Sequence, residues 1–149
     1  MRNLIILILS FATLANFSAF AADKPQVLLM MSSHASKPKG DLLLDMAKDQ
    51  PFELISYSTK GKSEEEVKAN WQNADLIMLD GINPALSKFM FAKYQSHLAM
   101  FPKVPVISLG DLANEKMNQG LTPEQQQSVG SYYKNAGRGN YRNLMLFLA

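Results

Sequence analysis

The sequence has 149 residues, with fifteen Lys and Arg against thirteen Asp and Glu, a net charge of +2, and no cysteine. That balance implies no nucleic-acid or other polyanion partner, and the missing thiols exclude disulfides and thiolate metal sites. The length is that of one domain, large enough to be held by its core without covalent staples.

The N-terminus opens with Arg2, followed by an apolar run from Leu4 to Leu9 that continues through Phe11, Ala12, Leu14, Ala15 and Phe17. Ala19, Phe20 and Ala21 then supply the small-x-small pattern of a secretory signal peptide, with cleavage predicted after Ala21. Ser10, Thr13, Asn16 and Ser18 interrupt the run, which falls short of the roughly 20 apolar residues of a membrane span. The expected organisation is therefore a signal peptide over 1–21 and a single α/β domain over 22–149, periplasmic or secreted, with no membrane span after cleavage. An exported domain works where no ATP supply is expected.

From Val27 to Met31 the chain is wholly apolar, as in a strand buried on both faces. Ser32 to Gly40 reads as a polar loop, and a helix is predicted from Asp41, with an end before Pro51. A second strand follows over Phe52–Tyr57. Ser63 and Glu66 have capping-box spacing, which opens a helix running to about Asn73. Asp75 to Asp80 forms a third strand that stops at Gly81. Pro84 suits the first turn of a long amphipathic helix carrying Phe89, Phe91, Tyr94, Leu98 and Met100. Val104 to Gly110 is a fourth strand, with Pro105 near its start, where a missing donor is tolerated. Residues 112–120 read as loop or short helix. Thr122, Pro123 and Gln125 begin another helix as N-cap, first helical residue and capping-box partner. A glycine-bracketed turn from Asn135 to Tyr141 precedes a last apolar helix from Arg142. Because the chain stops within this helix, it reads as the N-terminal part of something longer, with the helix free to dock on a further domain or partner subunit.

Alternating strands and helices predict a mainly parallel, flavodoxin- or Rossmann-like sheet of order 2-1-3-4 with helices on both faces. Ligands of such sheets bind beyond the carboxyl ends of the strands. The rim is formed by Ser32, Ser33, His34, Asp80, Gly81, Asn83, Ser108 and Gly110, of which Ser33, His34, Asp80 and Asn83 are the candidate ligand-binding residues.

Several familiar chemistries fail on spacing. Gly61-Lys62-Ser63 opens a helix after a strand, but Ser56 stands where a phosphate-binding loop needs its first glycine. The run Ala74 to Asp80 resembles the phosphorylated strand of response-regulator receivers, yet the acidic pair that would hold Mg²⁺ after the first strand is replaced by Ser32, Ser33 and His34; Asp80 then reads as a turn former. Ser32 and His34 have neither a nucleophile elbow nor an orienting acid. His34 and His97 are the only histidines, too few for a predicted metal site, and His97 is expected beside exposed carbonyls near a helix end. Met30, Met31, Met78, Met90, Met100 and Met145 fall in apolar patterns, so they are read as core filling rather than as ligands of copper or haem. No catalytic residue is identifiable.

Ser131 to Leu148 contains an aromatic pair, Tyr132 and Tyr133, a small-residue turn with Gly137, and Asn140 ahead of an apolar helix. In that order they resemble the early part of the large subunit of the cobaltochelatase and magnesium chelatase family, with Ala136 where a second glycine is common. The resemblance implies a much longer protein that binds a tetrapyrrole and exchanges its metal with ATP-driven partner subunits. Combined with export, it implies ATP-free handling of a tetrapyrrole such as haem or a cobalamin precursor. The alternatives are a non-catalytic periplasmic interaction or scaffold domain, or a small-ligand-binding α/β domain.

Overall fold

The computed structural model of the chain describes residues 23–31, 37–82, 88–111 and 113–149. The predicted signal segment, Ser32, Ser33, His34, Asn83 and Pro84 lie outside the described residues. The four apolar runs form β1 (Gln26–Met31), β2 (Glu53–Tyr57), β3 (Leu76–Asp80) and β4 (Val106–Leu109), all parallel in the order β2-β1-β3-β4. Both the order and the strand direction match the expectation. Among the described residues five α-helices accompany them: α1 (Lys37–Ala47), α2 (Glu64–Asn73), α3 (Lys88–Met100), α4 (Pro123–Lys134) and α5 (Arg138–Leu148).

The register explains the two-sided core. Val27 lies opposite Leu54 and Leu76, and Leu28 opposite Ile55 and Ile77, so odd and even positions separate to opposite faces. Val27, Leu29, Leu54, Leu76, Met78, Ile107 and Leu109 pack with Leu43 and Ala47 of α1, Val129 and Tyr133 of α4, and Tyr141, Leu144 and Met145 of α5. Leu28, Met30, Tyr57, Ile77, Leu79 and Val106 pack with Val67 and Trp71 of α2 and Phe91, Tyr94 and Leu98 of α3. Helices therefore cover both faces, and the continuous apolar strands are those of a fully sandwiched parallel sheet.

Local chemistry sets two of the helix starts. The Ser63 hydroxyl accepts from Glu66 N, while the Glu66 carboxylate accepts from Ser63 N, both at 3.1 Å. Thr122 and Gln125 form the same reciprocal pair ahead of α4, with Pro123 in its first turn. Each cap satisfies donors that a helix start would leave unpaired.

Two starts differ from the predictions. Helix α1 begins at Lys37, not Asp41. Pro38 is tolerated in a first helical turn, and Gly40 is buried with the Met31 side chain where a β-carbon would stand. The glycine read as loop composition is therefore there for close packing. Helix α5 starts at Arg138, so the turn is confined to Asn135–Gly137.

Beyond β4, Glu115–Met117 forms a single 3-10 turn, and the chain returns to the sheet margin. Val106 and Gln119 exchange backbone hydrogen bonds at 2.9 and 3.0 Å as one antiparallel bridge. The Gln119 amide also donates to the carbonyls of Phe101 and Val104. Among the described residues no helix is long and apolar enough to cross a membrane.

Candidate functional site

Strand parity places Asp80 on the same face as Leu76 and Met78, beneath α1, α4 and α5, at the carboxyl end of β3. It is 5% exposed. A buried carboxylate is costly without partners, and Asp80 has two: Tyr133 Oη donates to Oδ2 at 2.7 Å, and Lys39 Nζ lies 3.7 Å from the same oxygen. Lys39 also sits over the Tyr133 ring, 4.4 Å from its centroid. A lysine in the first turn of a helix opposes the helix dipole; the carboxylate and the ring face compensate it there.

Tyr141 completes the cluster. It is buried, its hydroxyl has no hydrogen-bond partner, and burial followed by the nearby Asp80 charge raises its pKa. Burial, again ahead of Asp80, holds the Tyr133 phenol far above the ordinary tyrosine value. Both phenols therefore stay protonated, and Tyr133 serves as the donor to Asp80 rather than as a base. On the other side, Gly110 ends β4 with φ +84°, and a β-carbon there would lie 2.5 Å from Asp80 Oδ1. Only glycine meets both the left-handed backbone and the close approach. Asp80 is thus a buried anchor, correcting its reading as a turn former.

The rim divides unevenly. Ser33, His34 and Asn83 lie outside the described residues, so only Asp80 of the four candidate ligand-binding residues is placed. Ser108 is engaged within the fold: its N–H donates to Asn118 Oδ1 and its hydroxyl accepts from Asn114 N. Each residue of the terminal motif has a position. Tyr132 meets Phe147 edge-on, Tyr133 reaches Asp80, Gly137 caps α5 with φ +123°, and the Asn140 amide donates to the Asn135 carbonyl. Sequence reasoning missed Lys39, which it placed in a loop, and Tyr141, which it treated as the end of a turn. The spacing Lys39-Gly40-Asp41 carries no signal of the contact. Among the described residues no group of three or more His, Asp or Glu could hold a metal.

The opposite layer carries a second polar feature. His97 is 3% exposed, packed edge-on against Trp71 at 5.3 Å between centroids, with Tyr94 stacked on Trp71 at 5.5 Å. Its Nδ1 has no partner, and burial, with Lys93 nearby, lowers its pKa despite Glu64. The expected setting of exposed carbonyls is thereby corrected: an apolar wall holds a neutral ring. Phe89 and Met100 are 76% and 52% exposed, so they are surface residues of α3 rather than core, Met100 against its reading as core filling; the side chain of Met90 lies outside the described residues.

No protein-family model matches the sequence, and no curated protein matches it. The structure is similar to the catalytic subunit of cobaltochelatase from Mycobacterium tuberculosis, with a TM-score of 0.52 and 18% identity over 84% of this chain. The match spans 10% of that protein. At this identity the likeness establishes a shared fold.

Proposed function

We propose that this chain is an exported protein that handles a tetrapyrrole and its metal, as a counterpart of one segment of a chelatase large subunit. The observation that carries this reading is the fold likeness to the cobaltochelatase catalytic subunit over 84% of the chain. The resemblance of residues 131–148 to the chelatase large-subunit family supports it independently. Export after cleavage at Ala21 favours binding, delivery or demetallation without ATP over motor-driven insertion. Haem and cobalamin-type precursors are the ligand class, and the carboxyl edge of the sheet is the proposed ligand edge. There Lys39 provides the charge, held by the buried Asp80, and Ser33, His34 and Asn83 stand in the sequence between β1 and α1 and between β3 and α3.

The test is a titration of residues 22–149 with haem and cobalt porphyrin, read at the Soret band. Binding at micromolar concentration is expected, weakened roughly tenfold, about 1.4 kcal/mol, by Asp80→Asn or Lys39→Ala. Absence of a spectral change with either compound refutes the reading.

A second reading, a non-catalytic docking domain, is favoured by the exposure of Leu146 and Phe147 on α5, 65% and 42%. Light scattering separates the two. A chain that stays monomeric, and whose Leu146→Lys/Phe147→Lys variant behaves identically, speaks against docking through this helix.

A further inference from the structure

Helix α3 carries two stripes. Phe91, Tyr94 and Leu98 face the sheet, while Phe89, Ala92, Lys93, Ser96, His97 and Met100 line an open groove of about 440 Å³ whose far wall includes Glu64 of α2. Phe89 and Met100 are eleven positions apart, about 16 Å along the axis and within about 20° of the same direction. Between them the floor is made of Ala92 and Ser96, and the Ser96 hydroxyl is turned back onto the Ala92 carbonyl. Large apolar side chains at both ends and small ones between make a saddle. Its volume lies within the range of small-molecule pockets, and its apolar lining with a few polar groups is their usual composition.

Charge also points to a ligand. Glu64 pairs with Lys68 at 2.8 Å, whereas among the described residues Lys93 forms no ion pair. Glu64 also lies near Lys93 but is already engaged by Lys68, so the groove carries a cationic excess.

We propose that this groove is a binding site for a planar aromatic ligand bearing carboxylates, separate from the sheet edge. The ring system lies on Ala92 and Ser96 between Phe89 and Met100, and Lys93 takes an acidic substituent. The choice of a tetrapyrrole as occupant rests on the functional reading above, and it gives the chain two sites for that class.

Protoporphyrin IX and haemin, titrated into residues 22–149, test this through stoichiometry. Two equivalents are expected for the unmodified chain and one for Ala92→Trp, which fills the floor from an exposed position. Ser96→Trp serves as an independent block, and circular dichroism checks that both variants are folded. One equivalent lost in Ala92→Trp but retained in Asp80→Asn supports the groove even where the edge binds nothing. Uptake unchanged in both tryptophan variants overturns the groove while leaving the edge reading standing. No uptake by the unmodified chain overturns both. Dimerisation abolished by Ala92→Trp, without ligand uptake, assigns the saddle to self-association and also overturns the proposal.

Discussion

The two helical layers cover the same sheet with different chemistry. On one face, α1, α4 and α5 close over an apolar core that ends in a buried charge, where Asp80, Lys39 and Tyr133 meet beside Tyr141. On the other, α2 and α3 are held by Trp71, Tyr94 and a neutral His97. Aromatic packing depends on shape and apolar burial; a buried carboxylate depends on individual donors. The first face therefore concentrates polar recognition at one strand end, while the second fixes α3 from beneath and leaves its outer stripe free to form a groove.

The largest expected effect is on the aromatic face. Trp71→Ala removes a side chain that is 1% exposed and should cost about 3–5 kcal/mol in urea unfolding. A loss under about 1 kcal/mol would mean that Trp71 does not anchor α2 against α3.

Next comes the polar face. Tyr133→Phe keeps the ring under Lys39 but removes the donor to Asp80, with an expected cost of roughly 1.5–3 kcal/mol, the range for a hydrogen bond to a charged group. The two substitutions lie on opposite sides of the sheet, so the double variant should be additive within about 0.5 kcal/mol. A larger coupling would show that the layers are one energetic unit.

The smallest effect distinguishes the layers by pH. His97 is held neutral in the fold, with its pKa below the ordinary value of 6.5. The unfolded chain then binds more protons as pH falls below about 6.5, so stability present above that value is lost on acidification towards the lower folded pKa. Melting temperature should fall between pH 7 and 5.5, and His97→Phe should flatten the slope. An unchanged slope would show that another group governs acid sensitivity.

Much of the architecture was legible in the sequence because strands buried on both faces are continuous apolar runs, and because Ser63 and Thr122 announce the starts of their helices. The start of α1 was not, since Pro38 and Gly40 carry a turn signature and the packing of Met31 against Gly40 is a tertiary contact. Lys39 was hidden by the same error. The exposure of Phe89 and Met100 was illegible for another reason: helical spacing allows an apolar residue on either stripe, and only the position of the sheet decides which is covered. Tyr133 was singled out by resemblance, but its bond to Asp80, 53 positions away, has no local sequence trace.

The single bridge between Val106 and Gln119 has a consequence for how these molecules meet one another. It occupies part of the outer backbone of β4, and the Gln119 amide ties the adjoining carbonyls to its own segment. At the other side of the sheet, β2 has β1 as its only strand neighbour among the described residues. Among the described residues the margins are thus unequal, one partly closed by the chain's own return and one with no strand beyond it. Strand addition between molecules, the usual hazard of sheet edges, is directed to β2, where Glu53 is the charge placed at the entrance.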